Sequence, residues 1–370
     1  MIVRLFHTLP GEGRLSMEVY AHQLTEGLAA MGNGLTVEHY RASGRLRAAA
    51  GRWGPLARLA GYVDRYGIYQ WSVRGQDADV NHVVDHGYGH LAFALDPRRT
   101  VVTFHDAVLL RLEARELPVG SYPRVSILGH KLSLQAIRRV ARVIVPSDSS
   151  KRDLLRFTDY CPERVRVVPQ GVSAEFRPAP DCHDDSRADD GLRLLHVGHC
   201  GPYKNVEGVL HALARLRQRL DTPVVLIKVG GAFTASQQAL IARLGIENAI
   251  QHVGAVSRAE LIRLYARAAV LLTPSLYEGF GMTALEAMAC GTPVIASNTG
   301  SLPEVVGDAG LLVCPTDVDA MVDAVVRVAT DRELQATLRQ RGLERARSFT
   351  WDRTARETVA VYHEIHEENR

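Results

Sequence analysis

Cysteine is scarce in this 370-residue sequence, and its five copies follow no ligand pattern. They are odd in number, and no pair has the CxxC or Cys/His spacing of a zinc or redox site. Free thiols in a reducing cytoplasm are therefore expected at Cys161, Cys182, Cys200, Cys290 and Cys314. Long apolar runs are also missing, since the longest are of the length of Ala268–Leu272, far below the ~20 residues of a transmembrane helix. The sequence predicts neither a membrane span nor a signal peptide.

Net charge is small, at +3, but it is unevenly distributed. Residues 1–180 hold 24 Lys+Arg against 17 Asp+Glu, whereas residues 181–370 hold 20 against 24. Much of the excess lies between Arg41 and Arg74, where arginines alternate with Trp and Tyr. That composition is typical of a surface that contacts an anionic membrane or an acidic acceptor. A solvated helical face with aromatic side chains in the core explains the same residues, so both interpretations stay open.

Short β-branched runs alternate with longer helical patterns along the chain. An amphipathic helix is predicted over Ser16–Met31. The predicted strands are Ile2–Phe6, Leu35–Tyr40, Thr100–Phe104, Arg142–Val145, Leu192–Val197, Val224–Val229, Ala269–Thr273, Pro293–Ala296 and Gly310–Val313. This alternation predicts an α/β fold with two Rossmann-like, doubly wound parallel-sheet domains.

A segment rich in Pro, Asp and Gly interrupts the alternation at residues 176–191 and is typical of a linker. We therefore expect an amino-terminal domain over residues 1–178 and a second domain over residues 190–349. The closing residues 350–370 have the pattern of an amphipathic helix.

The most informative segment is residues 273–297, TPSLYEGFGMTALEAMACGTPVIAS. A predicted strand leads into a turn with Gly279 and Gly281, and a helix follows to about Ala289. Such a turn aims backbone N–H groups and the positive end of a helix dipole at the carboxyl edge of the sheet, where phosphates bind. Glu278 and Glu286 flank the turn, and because carboxylates repel phosphate they suit hydroxyl groups beside it. A nucleoside-diphosphate sugar offers such hydroxyls on both its sugar and its ribose.

Residues 274–297 resemble the donor motif of glycosyltransferase family 4, in particular of its mannosyltransferase-like members. Residues 197–205, VGHCGPYKN, are similar to the family's glycine loop and lysine. Residues 252–256 are similar to the end of its base-binding strand, and residues 302–308 are similar to the helix that follows the donor motif. The resemblance is strong over about 190–347 and weak in the first half. It implies a GT-B fold with the two domains facing a central cleft, retention of anomeric configuration, no metal, and a closing helix that crosses back to the first domain.

The resemblance also implies roles for individual residues. Lys204 would pair with the donor diphosphate, Glu278 would contact the transferred sugar, and Glu286 would contact the ribose. Backbone groups in the glycine loop and at the helix start would hold the phosphates, and a side chain after the base-binding strand would lie near the base; these residues are Gly198, Gly281, Met282, Thr283 and Val256.

His199 lies where many relatives carry an arginine that precedes the lysine by about five positions. We expect it near the diphosphate, although a side chain that points into the domain fits the sequence equally well.

His105, Gly11 and Gly13 of the first half complete the predicted site. His105 follows the predicted strand Thr100–Phe104, and in the family this histidine lies near the sugar and the acceptor. Asp106 either orients that histidine or caps the next helix. Gly11 and Gly13 resemble the amino-terminal glycine loop, which approaches the donor phosphates, although an ordinary strand-to-helix turn is an alternative.

The predicted function is transfer of a hexose from GDP-mannose or a UDP-hexose to an acceptor hydroxyl of a saccharide, lipid-linked or small molecule, in glycan, glycolipid or glycoconjugate biosynthesis. The nucleotide sugar is a co-substrate, and no cofactor, metal or nucleic acid is expected. The predicted location is cytoplasmic, with a peripheral contact at the inner face of the membrane. A sugar-nucleotide sensor without activity is an alternative. Another is an NAD(P)-dependent oxidoreductase, since residues 279–284 fit GxGxxA, but no carboxylate follows at the required distance.

Overall fold

Two six-stranded parallel sheets organise the protein in a computed structural model that describes residues 1–32, 34–49, 54–118, 124–178 and 191–370. The chain divides into two compact units, which we call the first and second unit. The first comprises Met1–Leu110, Ser121–Gly171 and Trp351–Arg370, and the second comprises Arg111–Gly120 and Val172–Thr350. Most of the predicted linker, residues 179–190, lies outside the described residues.

The sheet of the first unit has the order β2-β1-β3-β4-β5-β6. Its strands are β1 Ile2–Phe6, β2 Thr36–Tyr40, β3 Val80–Val83, β4 Thr100–Thr103, β5 Arg142–Val145 and β6 Val165–Val167. Its helices are α1 Leu15–Ala30, α2 Arg45–Ala49, α3 Pro55–Val63, α4 Gln70–Ser72, α5 Val108–Glu113, α6 Arg124–Ile137, α7 Asp148–Phe157 and α15 Trp351–Glu368. Helix α5 begins in this unit and ends in the second. A π-helical turn, Asp64–Tyr69, joins α3 to α4.

The sheet of the second unit has the order β12-β11-β10-β7-β8-β9. Its strands are β7 Leu192–Val197, β8 Val224–Val229, β9 Ile250–Val253, β10 Val270–Thr273, β11 Val294–Ser297 and β12 Leu311–Val313. Its helices are α8 Val206–Arg219, α9 Ala235–Leu244, α10 Arg258–Arg267, α11 Met282–Ala289, α12 Leu302–Val306, α13 Val318–Thr330 and α14 Arg332–Ala346.

Both faces of the second sheet are covered, as expected for parallel strands. Along β10 the side chains alternate: Val270 and Leu272 belong to one buried cluster, and Leu271 belongs to another on the opposite face. In the first unit, α15 contributes Trp351 and Tyr362 to the same buried cluster as Leu5 of β1. The predicted fold class, two doubly wound α/β sheets, is confirmed.

Candidate functional site

The predicted donor residues gather at the switch point of the second sheet. Strand β7 lies between β10 and β8, so the connections leaving β7 and β10 run in opposite directions across the sheet. A crevice forms at the carboxyl ends of two such strands, and ligands of open α/β sheets bind there. Residues 198–204 follow β7, and residues 274–281 follow β10.

Gly281 begins α11 in a conformation that favours glycine, with φ of 108°. A Cβ atom at this position would lie 2.8 Å from Leu302 Cδ2, so a larger residue would also require the Leu302 side chain to shift. The first backbone N–H groups of α11, at Met282 and Thr283, have no partner within the helix. Together with the helix dipole they form an anion-binding terminus at the switch point.

Lys204 and Glu278 form an ion pair between the two loops. Lys204 Nζ lies 2.6 Å from Glu278 Oε1, which also accepts a hydrogen bond from Ser275 Oγ at 2.7 Å. Their side chains are 14% and 12% exposed, so the pair is shielded from water but still accessible. Both were predicted as site residues, but their direct contact was not.

Two hydrogen bonds to main-chain carbonyls hold the two loops of this pair together. Leu276 N–H donates to the Tyr203 carbonyl at 2.7 Å, and Asn205 Nδ2 donates to the Pro274 carbonyl at 3.1 Å. Asn205 also caps α8 through its Oδ1, which accepts the Gly208 N–H. The ammonium and the carboxylate are therefore held in place by hydrogen bonds that join their two loops.

Glu286 lies further along α11, where its Oε2 accepts a hydrogen bond from the Tyr265 hydroxyl at 2.9 Å. Burial raises the pKa of Glu286 to about 7, against smaller opposing effects of Tyr265 and Arg258. Near neutral pH this carboxyl group exchanges between an acid and a carboxylate, and either form can bond to a hydroxyl group.

His199 is exposed on the loop after β7 and is bound by its own loop. Its Nδ1 accepts the Gly201 N–H at 2.9 Å, and its Nε2 lies 2.7 Å from the Tyr203 hydroxyl. The interpretation in which His199 points into the domain is not the geometry found. Its predicted contact with a diphosphate stays a prediction.

The remaining predicted donor residues lie on the same unit. Gly198 is the first residue of the loop after β7, and its N–H donates to the Val229 carbonyl at 3.0 Å. Val256 lies in the loop between β9 and α10, half-buried against the core cluster that also contains Leu271.

Two buried polar residues near the carboxyl ends of β7, β8 and β10 were not predicted from the sequence. Lys228 on β8 is fully buried, and its Nζ donates to the carbonyls of Gly198 at 2.6 Å and Val229 at 2.9 Å. Burial lowers the pKa of this ammonium. His196 on β7 is also buried; its Nδ1 bonds to the Leu272 carbonyl, and burial lowers its pKa to about 4. A charged or imidazole side chain within an apolar strand was the available signal, because parallel strands rarely accept one without a role.

In the first unit, His105 is buried at the carboxyl end of β4. Its Nε2–H donates to the Val84 carbonyl at 2.8 Å, and its Nδ1 lies 3.2 Å from Gln170 Nε2. Both ring nitrogens therefore have protein partners, and burial lowers the pKa of the imidazole. Asp106 Oδ1 accepts the Val108 N–H at the start of α5, which supports the capping interpretation.

Gly11 and Gly13 lie in the loop after β1 with φ of 78° and 71°. No heavy atom lies within 4 Å of a Cβ built at either position, so this part of the loop faces open space. Backbone conformation, rather than crowding within the protein, favours glycine here.

The basic stretch between Arg41 and Arg74 contains both buried and exposed side chains. Tyr69 is fully buried, whereas Trp71 is 71% exposed. Arg65 is turned inward toward Glu12, and Arg58 remains exposed. Arg52 and Trp53 and the side chains of Arg45 and Arg47 lie outside the described residues.

Among the residues that the structure describes, no group of three or more His, Cys, Asp or Glu side chains is arranged to hold a metal ion. Among the same residues, no helix has the length and apolar character that a bilayer span requires.

The two halves of the sequence match two family models. Residues 183–345 match the model "Glycosyl transferases group 1", and residues 17–176 match "Glycosyltransferase Family 4". O-antigen chain mannosyltransferase B of Escherichia coli is 32% identical over 273 residues, which cover 71% of this chain and 70% of that protein.

Solved structures of low sequence identity share the fold. Sucrose-phosphate synthase from Thermosynechococcus elongatus has a TM-score of 0.78 at 22% identity, with both chains fully covered. Anabaena HepE in complex with UDP and glucose has a TM-score of 0.72 at 18% identity, covering 100% of this chain and 99% of that one. The fold and these matches define a glycosyltransferase of the GT-B type. The chain belongs to glycosyltransferase family 4, which confirms the resemblance seen in residues 274–297.

Proposed function

We propose that this glycosyltransferase moves a hexose from a nucleoside-diphosphate sugar to an acceptor hydroxyl with retention of anomeric configuration. The observation that carries the proposal is the Lys204–Glu278 pair beside the start of α11. It brings a cation, a carboxylate and unpaired backbone N–H groups to one edge of the sheet. A diphosphate with a hydroxyl-rich sugar has the complementary groups.

When the donor binds, Lys204 exchanges part of its contact with Glu278 for an oxygen of the diphosphate. The N–H groups of Met282 and Thr283 bind the phosphates, and Glu278 accepts hydrogen bonds from hydroxyls of the transferred sugar. Glu286 accepts a hydrogen bond from the ribose. Charge that develops on the departing diphosphate is then met by Lys204 and the helix terminus, which are fixed before the reaction.

The bond from the anomeric carbon to the diphosphate oxygen breaks, and a bond to the acceptor oxygen forms on the same face of the sugar. The departing diphosphate takes the acceptor proton, so no protein base is required. Because His105 already bonds through both ring nitrogens, we assign it a positioning role in the acceptor-side unit.

GDP-mannose and UDP-hexoses are the proposed donors. The name of the Escherichia coli relative supports a mannosyl group, and the UDP and glucose bound to Anabaena HepE support a uridine nucleotide. Incubation with each donor and a panel of glycosides should release the nucleoside diphosphate and form a new glycoside, with transfer in EDTA equal to that without it. Binding without turnover would favour a sensor, and loss in EDTA with rescue by a divalent ion would contradict the metal-free mechanism.

We also propose a peripheral contact with an anionic membrane surface at the cytoplasmic face. Leu56, Leu59 and Val63 are exposed along α3, Trp71 is exposed nearby, and Arg58 adds positive charge. Such a mixture binds anionic interfaces and weakens with salt. Co-sedimentation with phosphatidylserine vesicles at low salt, lost at high salt and in Leu59→Glu, is expected; no sedimentation at low salt would remove the proposal.

A further inference from the structure

A second group of charged side chains lies at the switch point of the first sheet. Strand β1 lies between β2 and β3, so its crevice opens beyond the carboxyl ends of β1 and β3. Glu12 and Arg14 follow β1, Asp85 follows β3, and Arg65 comes from the π-helical turn between α3 and α4. We call these four residues the Glu12–Arg65 cluster.

The four side chains form three connected ion pairs. Arg14 Nη1 donates to Asp85 Oδ2 at 2.6 Å, and Arg14 Nε lies 3.3 Å from Glu12 Oε2. Arg65 Nη1 lies 3.5 Å from the same Glu12 oxygen, and its guanidinium covers the ring of Tyr88 at 4.2 Å. Glu12 and Arg65 are 10% and 12% exposed, whereas Arg14 is 32% exposed, so the cluster is accessible along one side.

Two polar atoms of this cluster are buried without a hydrogen bond. They are Glu12 Oε2, an acceptor, and Arg65 Nε, a donor. The Tyr88 hydroxyl accepts the Leu9 N–H and interacts with the Glu12 carboxylate, yet Oε2 remains unsatisfied. Buried polar atoms without hydrogen bonds cost free energy. Although Glu12 Oε2 contacts two guanidinium groups, it and Arg65 Nε both keep a hydrogen-bonding capacity that a ligand can use.

A ligand that satisfies both Glu12 Oε2 and Arg65 Nε must both donate and accept hydrogen bonds. A phosphate or carboxylate can satisfy Arg65 Nε but has no proton for Glu12 Oε2 at neutral pH. A hydroxyl group has both, and two neighbouring hydroxyls on a sugar ring can reach a carboxylate and a guanidinium that are already paired.

The local charge also disfavours an anion. The two arginines are balanced by the two carboxylates of the cluster. Burial lowers the pKa of His86, beside Asp85, to about 3 and that of His130, whose ring is 5.4 Å from His86, to about 3, so neither adds positive charge at neutral pH.

We propose that the Glu12–Arg65 cluster binds two neighbouring hydroxyls of a neutral saccharide acceptor. The proposal rests on the function proposed above, because it assigns the acceptor of that same transfer. No heavy atom lies within 4 Å of a Cβ built at Gly11 or Gly13, so the loop that carries Glu12 is uncovered at these two positions.

The test measures binding of methyl α-mannopyranoside, methyl α-glucopyranoside and mannose 6-phosphate to the full chain by saturation-transfer NMR titration, with UDP and GDP titrated in parallel. The neutral glycosides should bind wild type more tightly than the phosphate. Glu12→Gln should weaken the neutral glycosides by about tenfold or more and strengthen mannose 6-phosphate, because it removes an acceptor and one negative charge. Arg65→Lys keeps the charge but removes Nε–H, and should weaken the neutral glycosides alone.

Exposed Glu18→Gln and Arg98→Lys serve as matched controls and should leave all three affinities unchanged. Opposite changes for the two ligand classes in Glu12→Gln cannot arise from partial unfolding, which would weaken both. Tighter binding of mannose 6-phosphate to wild type, or unchanged glycoside affinity in both variants, would overturn the proposal. If a nucleotide binds and no glycoside does, the saccharide assignment is wrong and the donor site stands; if glycosides bind through Glu12 and no nucleotide does, the donor proposal is the one that fails.

Discussion

Glu286→Gln is the substitution whose effect on stability can be worked out most fully. The folded protein holds the pKa of Glu286 at about 7, raised from 4.5, because burial disfavours the carboxylate. Each pKa unit corresponds to about 1.4 kcal/mol, so ionising this group in the folded state costs about 3 kcal/mol more than in the unfolded chain. Glutamine keeps an oxygen for the Tyr265 hydroxyl but cannot ionise.

The sign follows from proton binding. Between about pH 4.5 and 7 the folded state holds a proton at Glu286 that the unfolded chain has released, so the free energy of unfolding falls as pH rises. Below pH 4.5 both states are protonated and the contribution is constant. Above pH 7 both are ionised, and the loss has reached its full value. Relative to wild type, Glu286→Gln should therefore gain about 3 kcal/mol between pH 4.5 and pH 8.

Urea unfolding of both proteins across this range measures the difference, with Glu333→Gln, an exposed carboxylate on α14, as the matched control. The carboxyl carbon resonance of Glu286, assigned by its loss in the variant, gives the folded pKa directly. Parallel unfolding curves for wild type and Glu286→Gln, or a resonance that titrates near 4.5, would refute the reasoning.

Three further substitutions test the donor loops. Lys204→Ala should lower the transfer rate by a factor of about 10²–10³, because it removes a positive charge that stabilises the leaving diphosphate. Near-normal turnover would show that Lys204 is a surface lysine without a catalytic role. Lys228→Met leaves the Gly198 carbonyl without its donor and should lower the free energy of unfolding by about 1–3 kcal/mol and weaken nucleotide binding; unchanged values would contradict its support of the loop. If His199 meets the diphosphate, nucleotide affinity should fall as pH rises from about 6 to 9 in wild type but not in His199→Gln. Calorimetric curves of the same slope would eliminate that contact, which also requires His199 Nδ1 to give up the Gly201 N–H.

The sequence predicted elements best where one local pattern determined them. The strands Ile2–Phe6, Arg142–Val145 and Val224–Val229 occur with the predicted bounds, because short β-branched runs between turns admit few alternatives. The predicted helix after Gly281 also ends at Ala289, since Gly291 and Pro293 stop it. Other strand boundaries differ from the prediction by one residue. Strand β10 begins at Val270 and not at the predicted Ala269, because the first hydrogen bond of the sheet sets the boundary.

Contacts between distant residues were not predictable in the same way. The pairing of Lys204 with Glu278 depends on two loops that hydrogen bonds to main-chain carbonyls bring together, and no local pattern encodes that distance. Arg65 was grouped by composition with exposed arginines, whereas the π-helical turn directs it toward Glu12. Lys228 could be recognised as a charged residue within an apolar strand, but its hydrogen bond to the Gly198 carbonyl joins two distant segments and could not be predicted from a local pattern.

Binding of nucleoside diphosphates is the measurement that tests the donor site most directly. The full chain is melted with UDP, GDP, ADP or TDP, for wild type and Lys204→Ala. At about 100 times its dissociation constant, the correct nucleotide should stabilise wild type by roughly 2.7 kcal/mol, which corresponds to about 5–10 °C for a unit of this size. Lys204→Ala should need a higher concentration for the same shift. A wild-type melting temperature unchanged by all four nucleotides would contradict the assignment of Lys204, Glu278 and α11 as a donor site.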